Sequence, residues 1–478
     1  MGRVPATLVL LVLATSAFAA GPVQVRLHVD ASDRVNAVYH LACLADSITC
    51  TKDNFERFWK GDLGWTAADQ AALEAWRAVM KDVTEHAPPR QPAPLLPNTP
   101  RFHPGQAARE KVLAAAVESD SSRRLVERSG GILTMATAER IESAIDHVER
   151  RIRSWWRSSN GRKAIEGRVR QLEQAADRSR FAEMADRMAT FLEAELPGPD
   201  VYMHAIAPPD RRAKDYTATV FGNHFVLEAV EEATVDGILS GALHELTHYL
   251  YDRAPPAKHL ALLKDFVQSD AQSFAGLYTY LNEAVATAAP GLTATTEPEP
   301  SDQSYNHPYI QPLSIATGPL LKDAIARGET LFSGFAERYI AAGTAALKGK
   351  LWEPQFVLSQ VALLLPDDSE RITPVFYGAL IPRASAQFGS EAEVKAFPEL
   401  SVVRFVRYET LGALGDLIPD LASLRTHRGF AYATNRGRQA RTYTLAGRDN
   451  DAIIEVVAQL GRLDTLNSDG LLFVLDER

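Results

Sequence analysis

Between Asp236 and Asp252 the chain reads DGILSGALHELTHYLYD, and no other stretch constrains the fold as strongly. Leu239, Leu243, Leu246 and Leu250 recur at the spacing of one helix face, which predicts a helix with a buried stripe. At about 100° per residue, His244 and His248 fall one turn apart on the opposite side. Two imidazoles so placed can hold one Zn²⁺ while the leucines stay in the core. Glu245 is directed towards the open position of such a metal, where a water would sit. Asp236 is the expected N-cap, and Gly237 and Gly241 would let a second element approach closely.

The 478 residues suffice for two to four domains, and apolar residues at 46% are ordinary for a globular protein. A net charge of −9 argues against nucleic acid and against anionic membrane surfaces as partners. The cluster Arg150, Arg151, Arg153 and Arg157 with Trp155 and Trp156 has acids interleaved and reads as a solvated helix face. Arg3, the apolar run Ala6 to Thr15 and the small residues Ala17 and Ala19 predict a signal peptide over residues 1–19. That run is too short to span a bilayer, so no integral membrane segment is expected after cleavage. The protein is therefore expected to be exported, to a bacterial periplasm or the extracellular space. In such an oxidising compartment the two cysteines, Cys43 and Cys50, should be bridged. Seven residues along an unbroken helix span about 10.5 Å, too far for a disulfide. The helix beginning near Ser32 must then end around Ala45–Asp46.

Residues 20–200 read as mostly helical, after a short strand over Val23–Val29. Helices are predicted over Thr66–Val83, opened by a capping-box relative at Thr66 to Asp69, and over Thr137–Ser158. Pro88 to Pro104 holds seven prolines and reads as an extended strap. Residues 201–348 form the predicted catalytic core. Val201–Ile206 and Thr217–Leu227 are strand-like, with a turn at Gly222-Asn223. An edge strand beside the motif helix could take an extended peptide by strand addition. His224, in that region, reads as structural. Helices are expected near Lys258–Val267, Ser273–Ala289, Leu313–Ala326 and Phe332–Leu347, with a polar, lid-like loop over Leu292–Ser304. Residues 349–478 read as a small mixed α/β accessory domain, with strands at Val402–Arg407, Ala440–Leu445 and Leu471–Leu475 and a helix near Asp451–Leu460.

The His-Glu-x-x-His of His244 to His248, followed by Asn282-Glu283, resembles the gluzincin metallopeptidases, the thermolysin-like branch of the zincins. The resemblance is limited to these two helices. It implies a zincin-like catalytic domain; with the predominantly helical N-terminal part and the small mixed α/β C-terminal domain read above, the expected fold class is α+β. The resemblance also implies one Zn²⁺ per chain, ligands His244, His248 and Glu283, and Glu245 as general base for hydrolysing a peptide or protein substrate. The gap to Glu283 is longer than in that family, and Thr287 stands where the family carries an aspartate, which leaves open what orients His244. Tyr251 and Ala254 occupy the positions of the metzincin glycine and third histidine, which excludes that pattern. Among other possible third ligands, Asp252 is short and two turns from His244, and His259 fits neither order. Asp270 reads as a helix cap, and Glu297 and Glu299 lie in the polar loop. Glu283 is presented from mid-helix and is preferred. Tyr305, His307 and Tyr309 are the candidates for stabilising an oxyanion. The alternatives to a peptidase are an inactive zincin-like zinc-binding module and a non-peptidase zinc hydrolase; an intact Glu245 favours turnover.

Overall fold

The computed structural model describes residues 25–86, 104–196, 198–213, 216–269, 274–292, 307–366, 369–395, 400–415, 417–437 and 440–476. The predicted signal peptide, most of the proline-rich strap, Asp270, and the polar loop with Glu297, Glu299 and Tyr305 lie outside them.

Strand β1 (Arg26–Asp30) leads into the helix Asp33–Leu44, whose N-cap Ser32 accepts a hydrogen bond from the Val35 amide. Ala45 caps the other end, Asp46 turns the chain with φ +57°, and Cys50 folds back to Cys43 with Cα atoms 5.8 Å apart. The disulfide expected from sequence is therefore present, at the helix end it required. The next long helix, Ala67–Glu85, opens with a full capping box: Thr66 and Asp69 each bond the other's backbone amide. With the helices Pro104–Glu118 and Met135–Trp156 it encloses an N-terminal core that includes Trp76, Ile141, Ile145 and Val148.

That core rests on a four-stranded sheet. Its order is β1-β2-β4-β3, with β2 at Asp200–Ile206, β3 at Ala218–Phe221 and β4 at His224–Glu228. β1, β2 and β4 run parallel, and β3 pairs antiparallel with β4 as an edge strand. The β3–β4 turn falls at Gly222-Asn223, with Gly222 at φ +64°, a conformation open to glycine. Alternation along the strands divides the two faces. Ile206, Phe221 and Val226 face the N-terminal helices, whereas Met203, Ala205, Phe225 and Leu227 join the core that holds the motif helix.

The motif helix runs Val235–Arg253. Its cap is Thr234, whose hydroxyl accepts from the Gly237 amide, and not Asp236, which sits in the first turn. The leucine stripe is buried as expected, Leu239 at 6% exposure and Leu243, Leu246 and Leu250 at 0%. Gly241 admits no close neighbour. A close approach that bears on this helix's neighbour is at Gly276, on the helix Phe274–Ala288: a Cβ there would stand 2.5 Å from the Phe356 ring.

Phe356 opens the C-terminal part. Its six-stranded sheet has the order β10-β8-β9-β7-β5-β6. The strands are β5 (Gln360–Leu364), β6 (Ala384–Phe388), β7 (Ser401–Arg407), β8 (Gly429–Gly437), β9 (Ala440–Gly447) and β10 (Gly470–Leu475). β6, β5, β7 and β9 are parallel, and β8 and β10 complete the sheet antiparallel. This part has a core of its own, yet Phe356 and Leu351 belong to the core of the motif helix. The Phe274–Ala288 helix is thus packed between the motif helix and the start of the C-terminal sheet. Across the described residues the architecture is α+β, as expected.

Candidate metal centre

Two helices build the centre. The motif helix supplies His244 and His248, and the Phe274–Ala288 helix, buried along almost its whole length, supplies Glu283. His244 Nε2 lies 3.0 Å from His248 Nε2 and 3.4 Å from Glu283 Oε1, and His248 Nε2 lies 3.7 Å from Glu283 Oε2. Nitrogen and oxygen ligands bound at their usual lengths around a tetrahedral ion stand about 3.4 Å apart. The three side chains therefore fit one metal ion with little movement, and they form the one such group found among the described residues.

The remaining ring nitrogens settle how the imidazoles are presented. His248 Nδ1 is 3.0 Å from Asn282 Oδ1, so it donates there and leaves Nε2 as a lone pair. His244 bonds the backbone of Ala286, whose carbonyl accepts its other N–H. The orientation left open by Thr287 is thus supplied by a backbone carbonyl one residue earlier, and the buried Thr287 hydroxyl makes no hydrogen bond. Asn282, Glu283 and Ala286 lie on one helix, which provides the third candidate ligand and a partner for each imidazole.

Charge in the centre follows from burial and these contacts. Burial would raise the Glu283 carboxyl, but its bond to His244 and the nearby His248 and Arg383 outweigh that and hold it well below the carboxylate range. Burial opposes protonation of His244, yet Glu283 beside it prevails and raises its pKa. His248, with burial and the His244 charge both against protonation, is held down to about 4 and stays neutral. Glu245 is pushed up to about 7 by burial; His244 opposes the rise and Glu283 adds to it.

His307 stacks obliquely on Tyr280, ring centres 5.6 Å apart, and it feels the charges of Arg383 and Glu283. Tyr280 lies about one turn before Glu283 on the same helix, so His307 packs against the helix that carries Glu283. Tyr309 is differently employed: its hydroxyl donates to Glu353 at 2.7 Å and its ring packs on Phe356 and Tyr280, so it anchors the C-terminal part and is not free to serve an oxyanion. His259 is buried with Nε2 on the Tyr251 carbonyl, 3.0 Å away. His224 stays out of the centre, as expected. It lies end to end with His204, Nδ1 to Nε2 at 2.9 Å, in a chain of contacts that runs from Asp30 to Glu118 on the sheet's other side.

One neighbour of the centre had no signal in the sequence. Arg383, from the turn that leads into β6, places Nη2 2.6 Å from Glu283 Oε2 and its guanidinium 5.5 Å from the centre of the Tyr280 ring. It is 100 residues from Glu283 and belongs to no motif. Compared with known proteins, the chain matches no family model, no curated protein and no solved structure.

Proposed function

We propose that the chain is an exported zinc-dependent peptidase of gluzincin type. The observation that carries this reading is the convergence of His244 Nε2, His248 Nε2 and the Glu283 carboxylate at 3.0, 3.4 and 3.7 Å. Two imidazoles and one carboxylate suit Zn²⁺ better than the oxygen-seeking Ca²⁺ or Mg²⁺. Bound there, the metal would supply Lewis acidity and lower the pKa of a water. Glu245, beside His244, would serve as the group that takes up a proton from the nucleophile and gives it to the departing amine. His307, packed against the helix that carries Glu283, is the remaining described candidate for binding the carbonyl oxygen. Edge strand β3 next to the motif helix supports an extended peptide as substrate, since its outer backbone groups can pair with one more strand. The Cys43–Cys50 bridge agrees with an exported protein.

Casein hydrolysis by the purified protein, with and without a chelator, tests the reading alongside metal analysis of Glu245→Gln. The variant should keep its metal and lose activity by roughly 10²–10⁴-fold, because a base and not a ligand is removed. A variant as active as the parent would reject Glu245 as the base. Metal without hydrolysis in the parent would point instead to a zinc-binding module or a different hydrolase.

A further inference from the structure

We infer that Arg383 is a positioning residue of the metal centre, lent by the C-terminal part, which keeps Glu283 bound through one oxygen and leaves a coordination position open. This rests on the metal reading above.

A glutamate carboxylate turns easily about its last torsion, which is broad and two-fold, so a ligand glutamate can offer one oxygen or both. Here the two oxygens have different duties. Oε1 faces His244 Nε2 at 3.4 Å, whereas Oε2, 3.7 Å from His248 Nε2, is also the oxygen that receives the Arg383 Nη2–H at 2.6 Å. A charge-assisted bond of that length holds the carboxylate plane and draws on the electron density of Oε2, which favours Oε1 as the oxygen offered to a metal. With His244, His248 and one Glu283 oxygen as ligands, a tetrahedral ion keeps a fourth position for water, which hydrolysis requires.

The Arg383 side chain is placed for this contact rather than for its own comfort. Its Nε–H is buried without an acceptor among the described residues, and its guanidinium lies over Tyr280. Tyr280 stacks flat against Phe356 at 5.6 Å, and Phe356 presses on Gly276 of the helix that carries Glu283. The Arg383 backbone amide is tied to the Ser359 carbonyl just before β5. Arg383 therefore reports the seating of the C-terminal sheet directly to the third ligand. If the sheet shifts, the carboxylate loses the donor that fixes it. Separation of Arg383 from Glu283 by 100 residues makes the metal centre a joint product of two parts of the chain.

The test uses Co²⁺ loaded into the full-length protein, because the visible absorption of Co²⁺ weakens when four ligands become five. The variants are Arg383→Met, which keeps an unbranched stem over Tyr280, and Arg383→Lys, which keeps a cation with one reachable donor. The expected result is an intense four-coordinate spectrum for the parent, a several-fold weaker one for Arg383→Met, and recovery in Arg383→Lys. Circular dichroism and thermal unfolding of both variants show whether the fold is retained. Should Arg383→Met unfold, Arg383→Lys against the parent still decides, since a folded lysine variant with a five-coordinate spectrum contradicts a role met by one donor. An unchanged spectrum in folded Arg383→Met overturns the inference and leaves the metal reading standing. No Co²⁺ uptake by the parent overturns both.

Discussion

His248 Nδ1 and Asn282 Oδ1 are 3.0 Å apart, a hydrogen bond that joins the motif helix to the helix bearing Glu283. It selects the tautomer in which Nε2 carries a lone pair directed at His244 Nε2 and Glu283. Asn282→Ala removes the acceptor and leaves the ring free to turn, which should weaken zinc affinity by about 10–100-fold. Asn282→Asp, which retains an acceptor oxygen, should recover most of it. Competition with a chromogenic chelator measures both. Equal affinity in Asn282→Ala and the parent would show that Asn282 does not orient the ligand.

The bridge between Cys43 and Cys50 closes a short loop at the end of the Asp33–Leu44 helix. Loop-closure entropy for so short a segment is worth about 2–3 kcal/mol. Cys43→Ser with Cys50→Ser should therefore lower the denaturant midpoint by a corresponding amount, without altering zinc content. Intact mass of the protein purified without reductant should lie two hydrogens below that of the reduced chain. Two alkylatable thiols in that material would contradict the bridge.

Much of this was legible because the signals are local. Caps at Ser32 and Thr66, the leucine stripe and the Gly222-Asn223 turn act over a few residues and survive into the fold. Glu283 could be found because a mid-helix acid beside Asn282 is a rigid ligand at a definite place. Asp236 misled because Thr234, two residues earlier, is an equally good cap and already bonds the Gly237 amide. β5 was missed for a different reason: all five residues Gln360–Leu364 are buried, so the strand shows no alternation and reads like any apolar run. Arg383 was invisible because a contact across 100 residues leaves no periodic trace. Tyr309 looked like a site residue from its neighbours, and only the position of Glu353 reveals its anchoring role.

His40 gives a pH dependence whose sign is fixed by its surroundings. It is wholly buried among Phe55, Phe58, Trp59 and Trp155, and its Nδ1 accepts from the Trp59 indole N–H at 3.1 Å. Burial lowers its pKa to about 3, whereas the unfolded chain should protonate it near 6.5. Between those values the unfolded state binds a proton that the folded state refuses. The contribution of His40 is fully present above about pH 6.5 and is lost as pH falls, by up to about 1.4 kcal/mol per pH unit. Urea unfolding at pH 7, 5.5 and 4.5 should show a shallower decline in His40→Gln, which keeps an acceptor for Trp59 and cannot titrate. Identical slopes would assign the acid sensitivity elsewhere.

The central claim is that one metal ion is held by His244, His248 and Glu283 together. Zinc content and zinc affinity of Glu283→Ala, measured beside the parent protein, test it most directly. The account predicts one zinc per parent chain and a loss of affinity in the variant large enough for zinc to be removed by dialysis against a weak chelator. A Glu283→Ala protein that holds zinc as tightly as the parent would contradict it.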